Sequence, residues 1–66
     1  MKQREMMKAL YKKFEGNRAE ACRAFAEAER RGEVNRKSDA AKTSPEQYAT
    51  ELWTDGMRKG WLRAEQ

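Results

Sequence analysis

The sequence predicts an all-α fold, a small three-helix domain occupying residues 1–66, with helices over about 2–15, 18–31 and 44–59. Three observations predict it. Apolar side chains recur at three- and four-residue steps in three separate stretches. Helix start and stop signals punctuate those stretches at the right places. Only 38% of the 66 residues are hydrophobic and 39% are charged, so one thin core is all the chain can build. A domain of this size has a stability of only about 3–10 kcal/mol.

In the first helix Met7, Leu10, Tyr11 and Phe14 form the stripe, with Met6 at its margin, covering an arc of about 140°. Arg4, Lys8 and Lys12 run down one flank at four-residue steps, and Lys2 and Lys13 sit further round. Gly16-Asn17 is a stop followed by a restart: Gly16 suits the left-handed residue that ends a helix, and Asn17 the next N-cap, with Glu20 three residues on. The second helix presents Ala21, Cys22, Phe25 and Ala28 inward, a narrow face of small side chains on which Phe25 is the main anchor. Glu20 at its start and Arg30-Arg31 at its end both complement the helix dipole, and Gly32 closes it.

Residues 33–43 read as a polar connection of about ten residues anchored by Val34, with one short extended piece at Val34–Arg36. The third helix has the clearest start in the chain. Thr43 with Glu46, or Ser44 with Gln47, makes a capping box, and Pro45 falls in the first turn on either choice. Its inward residues are Tyr48, Ala49, Leu52, Trp53 and Met57. Two stops compete, Asp55-Gly56 and Gly60, after which Trp61 and Leu62 either fold back as an apolar plug or stay exposed. Among the large rings Trp61 is the one expected to remain partly exposed, while Leu10, Phe14, Phe25, Leu52 and Trp53 form the core.

Composition removes most chemistries. There is no His and one Cys, so neither a zinc site of the usual ligands, nor an internal disulfide, nor a His-dependent catalytic triad can be assembled within one chain. The four glycines are isolated, so no phosphate-cradling loop exists. No apolar run approaches the ~20 residues of a membrane span, and the basic start lacks the apolar region of a signal peptide. Carboxylates abound, but nothing singles out a pair for acid–base work. The expectation is a non-enzyme without cofactor or metal, in a reducing cytoplasm, with Cys22 a small buried hydrophobe.

Charge is uneven. The net +4 places five cations and two acids in residues 1–15, while residues 44–66 carry three cations and four acids. Two candidate surfaces follow. For protein binding, Trp61 among Arg58, Lys59 and Arg63 combines an aromatic ring with cations, the composition of interface hot spots. For nucleic acid, Arg4, Lys8 and Lys12 with Arg30, Arg31, Arg36 and Lys37 could track phosphates. A solvated outer helix face explains the same cations. A helix–turn–helix outline is present, but the third helix offers Glu46, Gln47, Thr50 and Glu51 where a groove-reading helix needs donors.

The segment SPEQYATELWTDGMRKGWL, 19 of the 66 residues, resembles parts of short uncharacterised proteins of bacteriophages, prophages and other mobile elements. Ser44, Pro45, Tyr48, Ala49, Leu52, Trp53, Asp55, Gly56, Lys59, Gly60, Trp61 and Leu62 carry the resemblance. It implies a bacterial cytoplasmic setting, and a role among DNA-binding regulators or inhibitors of host defence such as anti-CRISPR proteins. The sequence-based expectation is therefore a protein-binding module that occludes a host defence complex, including one that handles nucleic acid. The alternative is a small basic DNA- or RNA-binding regulator of helix–turn–helix type. A homodimer is compatible with either.

Overall fold

A computed structural model describes residues 2–34 and 43–62. It holds three helices, α1 (Gln3–Lys13), α2 (Arg18–Arg30) and α3 (Pro45–Lys59), with no strand among the described residues. The fold is the all-α three-helix domain that the periodicity predicts. The second helix lies between the others; it packs most extensively on α3, less on α1, and α1 meets α3 only over a short stretch.

Local chemistry sets each boundary. Asn17 caps α2, its side-chain oxygen accepting from the Glu20 amide at 3.1 Å. Of the two possible starts for α3 the chain uses Ser44, whose Oγ accepts from the Gln47 amide at 3.2 Å, with Pro45 in the first turn. The end of α2 is a full Schellman closure: the Glu33 amide reaches the Ala28 carbonyl, the Gly32 amide that of Glu29, and Gly32 takes φ 81°.

The end of α1 differs from the sequence reading. The helix stops at Lys13, and the left-handed residue is Glu15 (φ 55°), followed by Gly16 (φ 81°). The Gly16 amide donates to the Tyr11 carbonyl, so the closure lies one residue earlier than glycine placement alone suggests. A two-residue left-handed turn brings Asn17 directly into its capping position, and the cost of a left-handed glutamate is accepted for it.

The core joins Met7, Ala21, Cys22, Phe25, Ala28, Val34, Ala49, Trp53 and Leu62. Phe25 and Met7 are fully enclosed. The small face of α2 lets its neighbours approach closely, and Ala26, outside the predicted stripe, is buried too. Leu10, Tyr11, Phe14, Tyr48, Leu52 and Met57 pack one side against this cluster and leave the other accessible. Leu10, Phe14 and Leu52 are therefore a rim, a correction to their place in the core: a chain with so few apolar residues cannot enclose every stripe position. Val34 is buried, and the rest of the extended piece at Val34–Arg36 lies outside the described residues, as does most of the 33–43 connection.

Candidate binding surface

The C-terminal end of α3 resolves the competition between its stops. Gly56 lies inside the helix, and Gly60, at φ 85°, ends it. The Gly60 amide (2.9 Å) and the Leu62 amide (3.2 Å) both donate to the Gly56 carbonyl, which turns the chain back over the last turn. Leu62 is buried as a plug, and Trp61 lies against the same glycine. A Cβ on Gly56 would stand 2.6 Å from the Leu62 Cβ and 3.1 Å from two Trp61 ring carbons. Glycine is thus required there for close approach, not for a turn.

Trp61 is half-buried, so its expected partial exposure holds, but the ring is engaged. The Arg4 guanidinium lies over it, 5.0 Å from the centroid, and the indole Nε1 is buried with no hydrogen-bond partner among the described residues. The fold therefore joins Arg4 of one predicted surface to Trp61 of the other. Nearby in sequence, Arg58 is exposed, and Lys59 pairs with Asp55 at 3.3 Å along the helix. Arg63, Arg36 and Lys37 lie outside the described residues.

The ion pairs divide the molecule electrostatically. Along α2 and α3 most cations face carboxylates: Arg23 meets Glu20 at 3.8 Å, Arg31 meets Glu33 at 3.1 Å and Glu27 at 3.6 Å, and Arg30 bonds Glu46 across the two helices, while Arg18 and Arg58 have no ion pair among the described residues. The Arg30 contact holds the Glu46 carboxyl below the usual carboxylate range, and Glu33 raises the Arg31 guanidinium further. Arg30 and Arg31, read from the sequence as phosphate contacts, thus spend their donors within the chain.

On α1 the pattern is the opposite. Lys2, Arg4, Lys8, Lys12 and Lys13 are all exposed, and none forms an ion pair with a carboxylate among the described residues. Arg4, Lys8 and Lys12 succeed one another at four-residue steps, a ridge about 12 Å long at 1.5 Å per residue. The ridge begins at the Arg4–Trp61 corner and follows the side of α1 next to Tyr11, whose ring meets Trp53 at 5.3 Å. The Glu20–Arg23, Glu27–Arg31 and Asp55–Lys59 pairs were legible as three- and four-residue spacings, whereas the Arg30–Glu46 pair, which crosses between helices, was not.

A second concavity runs along the α2–α3 seam, lined by Arg18, Cys22, Arg23, Arg30, Glu46 and Thr50 among others. It is open and of mixed charge. Cys22 is buried at its floor, and desolvation pushes its thiol up, against smaller opposing effects of the Thr50 hydrogen bond and Arg18. The thiol stays protonated at neutral pH, which makes it a poor nucleophile. Among the described residues, no three His, Cys, Asp or Glu side chains are grouped to hold a metal, and no helix is long and apolar enough to cross a membrane.

Comparison with known proteins adds no relative: no family model, no curated protein and no solved structure matches the chain.

Proposed function

We propose that the chain is a non-catalytic binding module that docks a partner of negative surface charge on the outer face of α1 and the adjoining Arg4–Trp61 corner. The observation that supports it is the division of charge: among the described residues four of the six cations along α2 and α3 (Arg23, Arg30, Arg31 and Lys59) have a carboxylate partner, whereas none of the five cations of residues 2–13 has one. Like-signed charges at four-residue spacing on one helix repel, and an anionic partner relieves that repulsion. The cations outnumber the exposed Glu5 on this face, so it attracts an acidic protein surface or a phosphate backbone.

The test is retention on immobilised heparin at low salt. The native chain is retained, and Lys8→Glu with Lys12→Glu runs through while keeping its helical circular dichroism. Equal retention of the two proteins overturns the reading.

A second reading is favoured by Trp61 itself, a half-exposed ring under Arg4, with the exposed Arg58 three residues before it in the chain. It makes that corner a hot spot for a protein partner. Under it, Arg58→Ala weakens capture of the partner at least tenfold and Lys8→Ala with Lys12→Ala leaves it unchanged, by the ~1.4 kcal/mol or more that a hot-spot side chain contributes.

A further inference from the structure

We infer that the partner of the α1 ridge is the phosphate backbone of double-stranded nucleic acid, bound without reading its sequence; this rests on the binding role proposed above and names the partner's chemistry. The charges fit first. Arg4, Lys8 and Lys12 have no carboxylate partner among the described residues and lie along one side of α1 over about 12 Å. One strand of a duplex advances about 3.4 Å per phosphate, so the edge spans about three or four phosphates. Lysine, a point charge on a flexible stem, suits phosphate contact more than base recognition.

The remaining side chains narrow the choice. Single-stranded nucleic acid is held by stacking bases on open aromatic faces. Here no aromatic ring stands fully exposed: Phe25 and Trp53 are buried, and Tyr11, Tyr48, Trp61 and Phe14 are half-buried, each against a neighbouring side chain. A membrane surface would require a free apolar face on α1. That face is used, because Met7 is fully buried and Met6, Leu10, Tyr11 and Phe14 pack on the core. Base reading needs amide or guanidinium groups aimed into a groove. The Gln3 side chain at the start of α1 is bonded by the Tyr48 hydroxyl, and Asn17 is occupied as a cap. What is left is charge at regular spacing, which recognises a backbone.

The experiment is fluorescence anisotropy of the full chain with short labelled duplexes, one A·T-rich and one G·C-rich, between about 50 and 200 mM salt. Three phosphate contacts give a slope of log affinity against log salt of about −2.7, a loss of about 40-fold over that range. The two duplexes bind within about twofold of each other, since backbone contacts carry no sequence information. Lys8→Gln with Lys12→Gln brings the slope to about −0.9, whereas Arg30→Gln with Arg31→Gln leaves it unchanged. Poly-L-glutamate and a single-stranded oligonucleotide serve as parallel probes. Binding of poly-L-glutamate but not duplex overturns this inference and leaves the binding role of α1 standing. Tighter binding of the single strand overturns it as well, and binding of no probe at low salt overturns both.

Discussion

Glu15 is the residue whose conformation its side chain does least to justify. At φ 55° it occupies the left-handed region at a cost of about 1 kcal/mol, and its side chain is exposed. Glu15→Gly is therefore expected to raise stability by about 0.5–1 kcal/mol, read as a shift of the urea midpoint at constant slope. Gly56 is the converse. In an exposed helix interior Gly→Ala would gain about 1 kcal/mol, but here the new methyl meets the Leu62 Cβ at 2.6 Å. The expected net result of Gly56→Ala is a loss of about 1–2 kcal/mol with a red-shifted tryptophan emission, as the returning strand of chain is pushed off the helix. Cys22 belongs at this scale too. Its raised pKa means that its contribution to stability is present below the ordinary thiol range and is lost as pH rises through the folded value.

Each helix depends on its ends more than on its middle, because the faces available for burial are narrow. Asn17→Ala and Ser44→Ala each remove the acceptor for an orphan amide, and each is expected to cost about 1 kcal/mol, checked by thermal denaturation. The Arg30–Glu46 contact ties the end of α2 to the start of α3, with both side chains about half exposed. Since the pair lowers the Glu46 pKa, its stabilisation is present above the ordinary carboxylate range and is lost as pH falls through the folded value. Glu46→Gln should flatten the acid limb of the melting-temperature profile and leave the alkaline limb unchanged; an unaltered acid limb would show that the pair contributes nothing.

For the molecule as a whole, the return of the chain after Gly60 completes the core. Leu62 is only 3% exposed and sits with Trp53 and Ala49 in the one buried cluster. Leu62→Ala is expected to cost about 2–4 kcal/mol, a large share of the stability a domain this small has, and to leave it partly unfolded near body temperature. That loss, measured by chemical denaturation, would exceed the effect of truncating rim residues such as Leu52, which is half-exposed. The charge division is partly a property of the whole, since the Arg30–Glu46 pair forms only when α2 and α3 lie side by side, while the other pairs are local to one helix or its end.

Periodicity and capping chemistry made the helices legible, because a 3.6-residue apolar repeat and a Ser or Asn before it act through neighbours in the chain. Ser44-Pro45 and Asn17 needed no tertiary information, and neither did the absence of histidine that removed whole classes of catalysis. The cation ridge was visible as spacing, and Trp61 as an aromatic among cations. Tertiary structure decided the rest. It placed Arg4 on Trp61, gave Arg30 to Glu46, and made Gly56 a contact surface instead of a stop. The first two lie between residues distant in sequence, where periodicity carries no signal, and the third follows from the chain reversing at Gly60. The sequence by itself determined how many helices form and which charges can pair within one helix; only packing determined the contacts that join helices, Arg30 with Glu46 and Arg4 with Trp61, because those energies lie between residues far apart in the chain.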